Sequence, residues 1–165
     1  MYRFTFADKL RLEALLPLCF ALLHQNMRKI APTGNTYEED FASWYSNVSP
    51  AMQKEPRQIV LMHSNDSLVG YFQFYVSQGR FVMEEIQIRP DHQGTGLFHV
   101  FFRWLLPQLK GNPEAVEAYS LRENTKSQRI LEHLGLKREG EIQNGNLFFY
   151  KGDFAEFRKH FITEA

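Results

Sequence analysis

The sequence predicts one mixed α/β domain over residues 1–165: a mostly antiparallel sheet with one parallel strand pair, flanked by helices. Three observations carry this. Leu10, Leu12, Leu15, Leu16, Phe20 and Leu23 recur at helical spacing near the start. Three β-prone segments then follow in the middle, split by turn residues. Beyond them helices and strands alternate, and strands on either side of a crossover helix run parallel.

Each element has its own signal. Residues 2–6 alternate as a strand does, and Asp8 is placed to cap the first helix, which Pro17 should interrupt or kink. Pro32 and Gly34 mark a break. A second, short helix is expected from Asn35 or Thr36, because Thr36 and Glu39 have capping-box spacing and Phe41, Trp44 and Tyr45 supply an apolar face. Strands are expected over 58–62, 68–76 and 81–88, with turns at 63–67 and 77–79. A helix over 97–109 follows two glycines and stops at Gly111-Asn112-Pro113. A strand over 116–121 leads to a helix over 125–134 that ends on Gly135, whose missing Cβ suits a left-handed cap. A hairpin over 136–142 and 146–150 turns at Asn144-Gly145, and a final helix spans 154–162.

Composition excludes several classes. The 19 basic and 19 acidic residues balance, without the basic excess that nucleic-acid phosphate demands, so no nucleic-acid partner is expected. A single cysteine, Cys19, rules out an internal disulfide or a cysteine zinc cluster, and its apolar neighbours make it a small buried hydrophobe. The six histidines form no metal-ligand spacing, so no metal is expected. The start of the chain lacks the apolar core of a signal peptide, and no apolar run is long enough for a bilayer. A cytoplasmic protein without membrane association is therefore expected. The 15 phenylalanines foretell an aromatic core.

The informative segment runs from Glu84 to Gly96. A strand ends in Pro90, a short loop follows, and Gly94 and Gly96 open a helix. Glycines let backbone N–H groups approach an anion, and a helix N-terminus adds unpaired donors and a positive dipole end. Such a turn suits a pyrophosphate. Alone, a Gly-x-Gly is more often an empty strand-to-helix turn. A P-loop does not fit, because Gly96 is followed by Leu97-Phe98. A dinucleotide fingerprint lacks its third spaced glycine.

The downstream segment decides between these. Asn124 follows the next strand, Ser127 comes three positions later, and the helix closes in Gly135-Leu136. Together with Ile86, Ile88, Pro90, Gln93, Gly94 and Gly96, this pattern resembles the GNAT (N-acetyltransferase) superfamily along nearly the whole chain. The resemblance implies acetyl-CoA as acyl donor. Its pantetheine arm would pair with backbone at Ile86 and Ile88, and its pyrophosphate with N–H groups of Gln93, Gly94, Thr95, Gly96, Leu97 and Phe98. Asn124, with Ser127 beside it, would hold the arm. The parallel strands would splay, with the thioester in the cleft. The acceptor would be a small-molecule or peptide primary amine, attacking directly in a ternary complex. Residues near 24–37 would help form the acceptor wall, and a homodimer is compatible with the family.

Two positions depart from the family pattern. Phe98 stands where a Gly or Ala is usual, and its ring faces either the phosphates or the core. Leu131 stands where a Tyr often serves as general acid. Glu84 and Glu85 are the candidate general bases, and strand alternation puts them on opposite faces, Glu85 with Gln87 and Glu84 with Ile86. The departures keep a second reading open: a non-catalytic CoA-binding regulatory or interaction module. A third is a longer acyl donor.

Overall fold

The computed structural model describes residues 1–163, so the last two residues of the expected 1–165 domain lie outside it. The strands are β1 (Tyr2–Phe6), β2 (Gln58–Ser64), β3 (Ser67–Ser77), β4 (Arg80–Ile88), β5 (Ala115–Leu121), β6 (Lys137–Ile142) and β7 (Leu147–Asp153). The helices are α1 (Leu12–Met27), α2 (Tyr37–Met52), α3 (Leu97–Leu105), α4 (Thr125–His133) and α5 (Phe154–Lys159). The seven strands form one sheet in the order β1-β2-β3-β4-β5-β7-β6. The β4–β5 pair is parallel, as the crossover through α3 requires, and pairs Arg80 with Ala115 through Met83 with Ala118. β1–β2, β5–β7 and β6–β7 are antiparallel.

The residues group into two compact units: Met1–Gln73 with Glu85–Leu97, and Phe74–Glu84 with the chain from Phe98 onward. The first is built on α1. Asp8 caps a single 3-10 turn (Lys9–Arg11) by accepting from the Leu10 N–H, and α1 follows directly. Pro17 sits inside α1 without ending it. Losing that backbone bond costs about 3 kcal/mol. Leu12, Leu16, Cys19, Phe20 and Leu22 are all buried, and each large apolar side chain returns about 1.5–3 kcal/mol, so tertiary packing wins. Leu12, Leu16, Cys19 and Leu22 share one core cluster with Met52, Ile59, Leu61 and Tyr71. The Thr36–Glu39 capping box forms with both of its bonds, and α2 runs 16 residues, longer than the short helix expected.

The second unit has an aromatic core. Phe81 lies edge-on to Phe74 at 5.7 Å and to Phe154 at 5.9 Å, and Phe102 meets Phe157 at 5.8 Å and Phe161 at 4.9 Å. Several expected boundaries move. α3 stops at Leu105, not 109, because Pro107 cannot donate to it and the chain tightens into a 3-10 turn, Leu106–Gln108. α5 ends at Lys159, not 162. The turn expected at 63–67 shrinks, since β2 continues to Ser64 and β3 begins at Ser67. β3 and β4 join through Gln78 and Gly79, both at positive φ, the two-residue turn that matches strand twist.

Candidate functional site

In the first unit, β4 ends at Ile88 and the chain makes one 3-10 turn (Pro90–His92) before the glycines. Gly94 has φ +72° and Gly96 φ +85°, and a Cβ on either would meet no atom within 4 Å. The glycines answer to backbone conformation, not to crowding, and the space beside them is open. Gly96 directly precedes α3 and has no side chain with which to cap it. Thr95 could have capped, but its hydroxyl donates instead to the His92 carbonyl at 2.7 Å. The Tyr2 hydroxyl of β1 lies 3.1 Å from both Thr95 Oγ1 and His92 Nδ1, tying the turn to the sheet. Before the turn, Arg89 makes a two-pronged bond to Asp91 at 2.6 and 2.7 Å. That bond holds the Asp91 carboxyl down at about 2 and raises the Arg89 guanidinium.

The end of β4 carries a polar network. The Arg89 N–H bonds the Val69 carbonyl of β3 at 2.8 Å. The Ile88 carbonyl instead accepts from two side-chain amides, Asn26 Nδ2 of α1 at 2.9 Å and Gln93 Nε2 at 2.8 Å. Asn26 Nδ2 also donates to Gln87 Oε1 at 2.9 Å, and Gln87 Nε2 donates to Glu85 Oε1 at 2.5 Å. Glu85 and Gln87 thus share a face. Tyr71 is wholly buried nearby, its hydroxyl has no hydrogen-bond partner, and burial, then the Glu85 charge, push its phenol well above the usual range.

In the second unit, Glu84 is half-buried on β4. Burial first, then negative charges with Glu117 ahead of Glu84, push the Tyr119 phenol up. Phe98 turns its ring onto Phe102 at 4.8 Å and Phe161 at 5.8 Å, so it joins the aromatic core. Asn124 caps α4, its Oδ1 accepting from the Ser127 N–H at 3.2 Å. This commits the oxygen and leaves the Nδ2 amide to point elsewhere. Leu131 is buried, 7% exposed, and offers no proton. Among the described residues no group of three His, Cys, Asp or Glu side chains gathers as a metal site, and no helix is long and apolar enough to cross a membrane.

Residues 8–137 match the family model for the acetyltransferase (GNAT) domain. The chain belongs to the GNAT family. Solved GNAT structures share its fold at low identity. The PaiA N-acetyltransferase of Thermoplasma acidophilum, solved with coenzyme A, is 12% identical with TM-score 0.73, over 93% of this chain and 99% of that one. The ribosomal-protein-S18-alanine N-acetyltransferase of Escherichia coli is 16% identical with TM-score 0.62, over 93% and 94%. The spermidine N-acetyltransferase of Vibrio cholerae, solved with CoA and spermine, is 15% identical with TM-score 0.60, over 94% and 97%. A sequence search of curated proteins gives no match.

The sequence assigned none of four residues at this site its part in the network, although Asn26 lies within the stretch 24–37 expected to form the acceptor wall. Tyr2, Asn26, Tyr71 and Gln87 reach it from β1, α1, β3 and β4 through contacts 2 to 93 positions apart. Only the parity of β4 hinted at Gln87, by placing it with Glu85.

Proposed function

We propose that the chain, acting as one domain over residues 1–165, is an acetyl-CoA-dependent N-acetyltransferase for a primary amine. The observation that carries this is the turn itself: two glycines at positive φ, open space beside them, and a helix that starts directly after the second glycine. That is a site for a pyrophosphate. Gln93, Gly94, Thr95, Gly96, Leu97 and Phe98 would supply its N–H groups. Phe98 can do so because its ring packs against Phe102 and Phe161, and the contact asked of it is through its backbone N–H. The pantetheine arm would pair with Ile86 and Ile88. The Ile88 carbonyl already takes two donors, so pairing there falls to its N–H. Asn124 would donate from Nδ2, while Ser127 holds its oxygen.

Acetyl-CoA would supply the thioester. The amine nitrogen bonds to its carbonyl carbon, the C–S bond breaks, and the amine proton passes to a base. Glu85 is taken as the base, because the Gln87 amide 2.5 Å away fixes the orientation of its carboxyl. Backbone N–H groups of β4 would stabilise the carbonyl oxygen. No general acid is needed at Leu131, because a thiol ionises near pH 8.5 and its anion can leave unaided.

The test is calorimetric titration with CoA, then free-thiol release from acetyl-CoA with spermidine and an alanine-terminated peptide as acceptors. Saturable binding and turnover of either amine are expected. Absence of CoA binding at millimolar concentration would sink the reading. Binding with no turnover across a wider amine panel would favour the non-catalytic module.

A further inference from the structure

We infer that Asn26 is a positioning residue which, through Gln87, orients Glu85 to take the proton from the acceptor amine. The inference rests on the acetyl-transfer reading above and deepens it. Some groups in this network can only donate and others can only accept. The Ile88 carbonyl can only accept, so the amide nitrogen of Asn26, 2.9 Å away, must face it. That nitrogen has a second hydrogen, which goes to Gln87 Oε1 at 2.9 Å. The Gln87 amide is thereby set with its oxygen toward Asn26 and its nitrogen toward Glu85, 2.5 Å from Oε1. Flipping Gln87 would set donor against donor at one end and oxygen against carboxylate at the other. Gln87 is 7% exposed, so water cannot repair a flipped amide.

The network therefore has one direction, from a backbone carbonyl to a carboxylate. It fixes the orientation of the Glu85 carboxyl through the donor at Oε1. Glu84 lies on the opposite face of β4. Asn26 acts at both ends of the reactive strand segment, since one nitrogen fixes the Ile88 carbonyl and the Gln87 amide together. Tyr71 adds a neutral neighbour: its phenol keeps its proton far into alkali and does not compete for the amine proton.

A double-mutant cycle tests this, with thiol release from acetyl-CoA to spermidine or the alanine-terminated peptide. Asn26→Leu keeps bulk and removes both donors. It should lower kcat about 10-fold with KM for acetyl-CoA nearly unchanged, and Glu85→Gln should lower kcat about 100-fold or more. The double variant should be no slower than Glu85→Gln alone, because the relay has nothing left to orient. A merely structural Asn26 would multiply the two losses, and that result overturns the inference, as does an unchanged kcat in Asn26→Leu. Asn26→Ala serves the same cycle where the leucine variant folds poorly. A wild-type protein with no turnover would count against the acetyl-transfer reading instead. The relay is then judged by the side-chain amide resonances of Gln87, which should move in both Asn26→Leu and Glu85→Gln. Unmoved resonances overturn it.

Discussion

Gly94 and Gly96 show how one residue type can carry a site. Each sits in the left-handed region with nothing within 4 Å of where a Cβ would lie. Gly94→Ala therefore introduces no clash, only backbone strain of about 1–2 kcal/mol. The chain can relieve that strain by moving to negative φ, which would swing the neighbouring N–H groups off their common focus. We expect CoA affinity to fall at least about 10-fold by calorimetry, since two or three charge-assisted bonds are lost. Gly79→Ala is the control: it shares the strained φ of +73° in the β3–β4 hairpin and should cost similar stability while leaving CoA affinity alone. Equal CoA affinity in Gly94→Ala and wild type would refute the role given to the turn. These glycines were readable in the sequence because only glycine is at ease at such φ. Phe98 was not, because a ring on a helix can face either way until its partners, Phe102 and Phe161, are placed. Asn26 was less readable still: its meaning lies in two acceptors about 60 positions downstream.

Among the elements, those that begin with a chemical cap were the most legible. Thr36 and Glu39 announce α2, and both bonds of the box form, at 3.2 and 2.9 Å. Thr36→Ala removes the first and should cost about 1 kcal/mol, within the usual 0.5–2 range, seen as a lower urea midpoint with an unchanged slope. A loss below a few tenths would mean that packing of Phe41, Trp44 and Tyr45, not the cap, fixes where α2 starts. Helix ends were less legible. α2 runs through Pro50, and α1 through Pro17, because buried apolar contacts outweigh a lost backbone bond. α3 stops early before another proline, Pro107, because the chain there tightens into a 3-10 turn instead. A proline has one local cost and many tertiary outcomes, so spacing alone cannot choose among them. The parallel β4–β5 pair was legible from order alone, through the handedness of crossovers.

For the whole molecule, the buried titratable groups set how stability should depend on pH. Cys19 has no exposed surface, and burial pushes its thiol from 9.0 up to about 12. In the unfolded chain the thiol ionises near 9, while the folded protein keeps the proton. Above pH 9 the unfolded state thus binds fewer protons than the native state, and stability must fall as pH rises. The contribution is fully present below pH 9 and drains away between 9 and about 12, by about 1 kcal/mol for the first full unit. The Tyr71 phenol, raised well above 10, adds to the same slope at higher pH. Urea unfolding from pH 8 to 10.5 should show a plateau and then a decline. Cys19→Ala should be less stable at pH 8, because it removes buried volume, yet show a shallower decline between 9 and 10. An equal decline in the two proteins would mean that Cys19 is reached by solvent in the native state. Iodoacetamide gives an independent reading of the same burial. With a thiolate disfavoured up to about pH 12, alkylation of native protein at pH 8 should follow the rate at which the α1 core opens, and become fast only in urea.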